Sequence, residues 1–349
     1  MSGFADRCVT GVRGRRGRGN PLRMNVNQPS PRAAGHHGGA ADTVVTERRL
    51  KHRGLSDQQI ADRCGPGGPW QQVLPQVYLL HPGPPSSQER VRAALLYAGR
   101  DPRAPRAMVT GPAALALYGF ACVPALAGLP RIDVLIGRHR RLRDAGDVAL
   151  HRADELPQPR DVAGVPCAPP ARALADAVAA LDDVDTVRVL FAEAVRRGHC
   201  EAQAVIAELT RGGLLEAPHV CGATDVLRAE GRALAEERLY AMVRRHRLPD
   251  PVWNVRLTLP GGPPLGGVDA YWPEHAVALV IEACSCPKGG TDSWSARHRE
   301  RLEALGITVL PVTADALRDA EQQQAGVVLS ALMASGEGAP AAYVVVTPR

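Results

Sequence analysis

The apolar positions of this chain pass from no pattern, through short mixed periods, to a regular alternation of helix and strand. Residues 1–44 are rich in Gly, Pro and Arg and carry no apolar repeat, which predicts a disordered tail. In "TERRLKHRGLSDQQIADRCGPGGPWQQVLPQVYLLHPG", Ser56 and Gln59 fit a capping box that starts a short helix over "DQQIADRC". Gly65 to Pro69 break that helix, and "WQQVLPQVYLL" has the β-branched and aromatic residues of a strand or wing. Residues 45–84 therefore read as a small winged helix-turn-helix, or as an ordinary helical cap on the next domain.

Residues 85–217 alternate helices and short strands. "SSQERVRAALLYAG", "TGPAALALYGF", "APPARALADAVAAL", "VDTVRVLFAEAVRRG" and "EAQAVIAEL" have helical spacing, whereas "RIDVLIG" and "VALHRA" read as strands. "TRGGLLEAPHVCGA" marks a boundary, and residues 218–335 form the last domain before a tail at 336–349. That domain opens with a long amphipathic helix, "TDVLRAEGRALAEERLYAMVRRHRLPDP", stopped by Pro249. Strands follow at "VWNVRLTL", "GVDAYW" and "AVALVIEAC", then a helix at "SWSARHRERLEALG", the strand "ITVLPVT" and a final helix from Ala314. The expected class is a multi-domain α/β (α+β) protein with a mixed sheet at its C-terminal end.

Charge alters this picture only locally. The net charge of +6 lies within residues 1–40, where seven arginines meet one acid, Asp6. Residues 41–349 hold 35 basic and 35 acidic residues, so a nucleic-acid footprint has to come from local patches. The tail itself reads either as an arm that touches phosphates or as an over-long start with Met24 as initiator. The longest apolar run, Ala276 to Ile281, is far short of the ~18 residues a membrane span needs, and no secretory segment follows the basic start. That points to the cytoplasm and to no membrane partner. Cysteines are scattered singly except Cys284 and Cys286, with no zinc spacing, which suits reduced structural thiols.

Candidate chemistry sits in "GGVDAYWPEHAVALVIEACSCPKGG", where Asp269 opens one apolar run and Glu282 interrupts the next. Burying a lone carboxylate costs several kcal/mol unless something compensates it. The cluster "RHRRLRD" joins the two central strands.

The motif order over roughly residues 45–215 resembles the AbiEi-type antitoxins of abortive-infection systems. The tryptophan-led stretch at Trp70 to Leu80, the helix "GPAALALYGF" and "PPARALADAV", with Arg172 and Asp176, carry that likeness. Residues 225–320 resemble the very-short-patch-repair-type endonucleases of the PD-(D/E)xK superfamily, through "LPDP", "VDAYWPE", "ALVIEA" and "RLEALGITVLPVT".

The second resemblance implies a Mg²⁺ held by carboxylates that activates water and neutralises the scissile phosphate. Asp269 and Glu282 are the implied ligands; the alternative is that Asp269 bounds a strand and Glu282 pairs with an arginine. If "PEHA" is a four-residue turn, Trp272 pairs with Val277 and Asp269 with Val280. Glu282 then lies one diagonal step away on Asp269's face, about 7–8 Å off and within reach of one ion. Glu236 or Glu237 is the implied helical acid, with Glu236 preferred because it shares a face with Tyr240 and Val243. The superfamily's lysine position is Cys284, leaving Lys288 as the cation that could substitute from a loop. Where the relatives carry an acid three residues before Leu302, this chain has Arg299. Arg297, His298, Arg299 and Arg301 give that helix a basic face suited to phosphate.

The favoured reading is a DNA-binding regulator of antitoxin type whose nuclease-like domain has impaired or absent cleavage. Arg63, Gln71 and Gln72 would approach DNA, while Arg138, Arg140 and Arg141 of the arginine cluster, and Arg297, would meet phosphates. The alternative is an active Mg²⁺-dependent endonuclease built on Asp269, Glu282, Glu236 and Lys288. A third reading is a partner protein that binds a cognate toxin and no nucleic acid.

Overall fold

The computed structural model describes residues 43–99, 107–262, 264–282, 291–335 and 344–348, with side chains from residue 296 in the fourth stretch. Most of the expected N-terminal tail, Cys284 and Lys288 lie outside the described residues.

The N-terminal module forms as the pattern predicts. Strand β1 (Val44–Thr46) leads into α1 (Glu47–His52), and α2 (Asp57–Cys64) follows. Ser56 Oγ accepts the Gln59 amide at 3.2 Å and the Gln59 side chain accepts the Ser56 amide at 2.9 Å, so the capping box is complete. Strands β2 (Gln71–Leu74) and β3 (Val77–Leu79) make an antiparallel hairpin, and β1 joins it in the order β1-β3-β2. Val45, Leu50, Ile60 and Tyr78 form a small local core. Val44, Leu74, Val77 and Leu79 instead join the large central core, so the module is packed onto the next domain.

The central domain contains α3 (Ser87–Ala98), β4 (Met108–Val109), α4 (Gly111–Leu117), β5 (Ile132–Gly137) and β6 (Val148–Ala153). A hairpin of β7 (Arg160–Val162) and β8 (Val165–Cys167) completes a mixed sheet in the order β6-β5-β4-β8-β7. This hairpin was not expected. Its strands are three residues long and carry Arg, Asp and Pro, so no alternation is visible; Ala163 and Gly164 turn the chain at φ 53° and 80°. Helices α5 (Pro170–Val178), α6 (Val184–Arg196), α7 (Ala202–Arg211) and α8 (Pro218–Cys221) follow.

The 22-residue helix α9 (Thr224–Arg245) lies wholly after the boundary placed at 217/218, yet it packs into both cores. Leu227 packs into the central core, whereas Ala235, Leu239, Met242 and Val243 pack against the last sheet. That sheet runs β12-β11-β10-β9-β13, from β9 (Val252–Thr258), β10 (Pro264–Trp272), β11 (Val277–Ile281), β12 (Thr308–Val312) and β13 (Val345–Pro348). Strands β11 and β12 are parallel and the other neighbours antiparallel. On one face lie α9, α11 (Ala314–Asp319) and α12 (Glu321–Ser335); Leu302 of α10 (Thr291–Glu303) packs on the other. Two expectations need correcting here. The helix from Ala314 is two helices, broken at Ala320, and the supposed tail supplies β13 as an edge strand.

No described helix is long and apolar enough to cross a membrane.

Candidate nucleic-acid interface and carboxylate cluster

The short helix α1 concentrates exposed cations. Thr46 caps it, Leu50 is its buried anchor, and Arg48, Arg49, Lys51 and His52 point outward, with Arg53 just beyond its end. A basic last turn offsets the partial negative charge at a helix C-terminus, which suits the local fold as well. Lys51 is committed to Glu47 at 2.8 Å and Asp57 at 2.7 Å. Among the described residues Arg48, Arg49 and Arg53 have no carboxylate partner. Arg48 also borders a hollow of about 300 Å³ with Pro75 and Gln76 of the hairpin tip and Tyr97 of α3.

The arginine-rich loop after β5 reaches the same neighbourhood. Tyr97 Oη donates to the Arg143 carbonyl at 2.7 Å. Gly146, at φ 53°, comes so close to β2 that an added Cβ would sit 3.0 Å from Leu74 Cδ2. Glycine is required there both for the left-handed backbone and for the approach.

The residues expected to approach DNA divide into two groups. Arg63 lies over the Trp70 ring, 4.8 Å from its centroid, and Gln71 donates its side-chain amide to the His81 and Gly83 carbonyls. Arg140 bonds the Ala98 carbonyl, and Arg138 pairs with Asp154 at 2.9 Å. Those four hold protein groups in this structure. Gln72, Arg141 and Arg297 are exposed. Arg48, Arg49 and Arg53 were overlooked, although "ERRLKHRG" shows them as a run of cations with one apolar anchor.

In the C-terminal domain the expected register is present. Trp272 pairs with Val277 across a turn at Pro273–His275 and Ala276, and the ladder runs back to Ala270–Leu279, one step short of Asp269 and Val280. The carboxylates have arginine partners, as the alternative reading had it for Glu282. Asp269, 2% exposed, accepts the Ile281 backbone N–H at 2.6 Å and bonds Arg232 of α9. Arg232 Nε also lies 2.9 Å from Glu236 Oε1, one helical turn on. Glu282 is half-exposed and pairs with Arg299 at 3.1 Å. Glu282, Ile281 and Arg232 share the wall of a cavity of about 200 Å³.

A guanidinium thus stands between Asp269 and Glu236, and a second one holds Glu282. This arrangement does not fit the Mg²⁺ that the nuclease resemblance implies, because the two acids expected to share an ion have different cationic partners. Among the described residues no group of three or more His, Cys, Asp or Glu side chains converges as a metal site. The implied lysine substitute, Lys288, and the cysteine at the lysine position, Cys284, lie outside the described residues.

A further polar network, missed from sequence except for Arg172 and Asp176, lies in the central domain. Asp133, 2% exposed, bonds His151 Nε2 at 2.8 Å; Asp176, 7% exposed, accepts from Thr110 Oγ1 at 2.5 Å and from Arg172 Nη2 at 2.7 Å. His151 Nδ1 lies 3.8 Å from Asp176 Oδ1, and the histidine borders a polar cavity of about 730 Å³. The network ties β5, β6, α5 and the β4–α4 junction together.

The chain matches no known family model and no curated protein.

Proposed function

We propose that this protein is a DNA-binding regulator of the antitoxin type, acting in the cytoplasm. Its C-terminal domain carries a nuclease-like order of elements with little or no cleavage. The observation that carries the reading is the set of arginines at α1 that have no carboxylate partner among the described residues. Arg48, Arg49 and Arg53 are exposed, with Arg48 beside a hairpin tip, on a chain whose residues 41–349 hold equal numbers of basic and acidic side chains. Unpaired guanidinium groups release counterions when they meet phosphates, which gives sequence-independent affinity and near-range positioning. Arg141 and Gln72 extend the set of exposed groups available for such contacts. Loss of cleavage is supported by Cys284 at the lysine position and by the arginines on Asp269 and Glu282. The antitoxin resemblance adds a cognate toxin as the expected protein partner.

The test is binding of a labelled duplex followed by fluorescence anisotropy at two salt concentrations. Binding is expected, and it is expected to weaken steeply with salt. No binding even at low salt would overturn this reading in favour of a partner that is protein alone.

A further inference from the structure

We propose that Arg232 is a built-in cation that takes the place of a divalent metal in the C-terminal carboxylate cluster. The protein therefore closes this site without an ion. The inference deepens the catalytic silence proposed above and is independent of whether α1 binds DNA.

The geometry is that of a bridge. Arg232 projects from α9 and binds Asp269 of β10 with Nη2 and Glu236, four residues along its own helix, with Nε. Asp269 is almost wholly buried and its other oxygen takes the Ile281 amide, where the β10–β11 ladder has ended. The carboxylate is thus fixed in position and needs a fixed positive partner. Arginine suits that place because it stays charged at any pH the fold survives and offers paired donors in a rigid plane.

Part of the charge is met without an ion. Asp269 and Glu236 share the guanidinium of Arg232, and Glu282 pairs separately with Arg299. The chemical difference from a Mg²⁺ lies in water. A metal ion holds a water molecule and lowers its pKa towards neutrality, whereas a guanidinium has no coordination position and generates no hydroxide. Arg232 therefore does the electrostatic part of the metal's work and none of the nucleophile activation. Its place on the cavity wall beside Glu282 leaves its charge within reach of an anionic group entering there.

The test uses the full-length protein and Mn²⁺ as the probe. Titration of wild type, with free Mn²⁺ read by electron paramagnetic resonance, is expected to show no saturable site, and millimolar Mg²⁺ or Mn²⁺ is expected to leave the melting temperature unchanged. Arg232→Met leaves Asp269 and Glu236 without their cation. That variant is expected to melt lower in EDTA, to gain several degrees with Mn²⁺ by ordinary linkage, and to lose the gain when Asp269→Asn is added. Saturable Mn²⁺ binding by wild type that Asp269→Asn abolishes would overturn the proposal. So would an Arg232→Met protein that folds and is indifferent to Mn²⁺. If Arg232→Met does not fold, the wild-type titration decides alone. Arg232→Lys, which keeps the charge, is expected to melt independently of divalent ions. The duplex titration of the previous section is read separately, so failure of one leaves the other standing.

Discussion

Replacing Arg48, Arg49 and Arg53 together by alanine removes the three arginines of α1 and its C-cap that have no carboxylate partner among the described residues, while leaving the anchor, Leu50, and the cap, Thr46, in place. Each phosphate contact contributes about 0.9 to the slope of log K against log salt on duplex DNA, so three contacts contribute about 2.7. Raising salt fourfold shifts log K by about 0.6 times the slope. Wild type should therefore lose roughly 40-fold more affinity than the triple variant over that interval. The fold should survive, because exposed substitutions away from special features cost about 0.5 kcal/mol or less each. The helix-end cations add some tenths of a kcal/mol at most positions. Lys51→Ala and Arg138→Ala are the matched controls. Both cations are exposed, but each is already paired, Lys51 with Glu47 and Asp57 and Arg138 with Asp154. Each control should change the slope by less than about 1, the value of a single contact. Anisotropy with one labelled duplex over a salt series, alongside circular dichroism of each variant, measures all of this. A triple variant whose slope equals that of wild type would refute the assignment of α1 to phosphate.

Three further perturbations bear on the fold that holds these surfaces. Asp176→Ala removes the buried acceptor of Thr110 and leaves Arg172 only the more distant Glu208, 3.9 Å away, so it should cost about 3 kcal/mol in denaturant unfolding, with Asp176→Asn less damaging. For Glu89, burial disfavours the charge, but hydrogen bonds from Thr43, Ser86 and His81 outweigh it and lower the carboxyl pKa from 4.5 to about 2. A depressed pKa stabilises the fold fully above the unfolded value. The melting-temperature advantage of wild type over Glu89→Gln should thus hold near neutrality and vanish between pH 4.5 and about 2. Gly266→Ala adds a Cβ 1.9 Å from Cε1 of the buried His298 ring at φ 127°, so calorimetry should show a loss beyond the roughly 1–3 kcal/mol of backbone strain alone.

What could be read from the sequence follows the range of the forces involved. The Ser56 cap, the hairpin after Trp70 and the helices of the central domain are local, and each forms where period and capping residues place it. The four-residue turn before Val277 is local too, and from it the β10–β11 register followed. The β7–β8 hairpin is too short for a period to show. Core sharing between the N-terminal module and the central domain depends on contacts between distant segments, which no window along the chain contains. Asp133 in "RIDVLIG" is a different case, since it interrupts an apolar strand just as Glu282 does. The same physical test applied to both would have pointed to the central network.

The behaviour of Asp269 shows why a correct register gave an incomplete site. Alternation along a strand assigns residues two apart to one face. Val255 and Val268, paired across β9 and β10, pack with Tyr271, Ala278 and Leu302. Trp253 and Ala270, the pair two residues on, pack instead with Leu239, Trp272 and Leu279 on the opposite face. The phase of alternation therefore slips between these pairs, at Asn254 and Asp269, and Asn254 has the left-handed backbone, φ 49°, that such a slip requires. A side chain at a slip is released from both faces. Asp269 turns to the sheet's own unpaired amide at Ile281 and to Arg232 on the helix above. Sequence spacing records neither a φ of one residue nor an arginine from 37 positions upstream. Both decide whether the carboxylate meets an ion or a guanidinium, and here it meets the guanidinium.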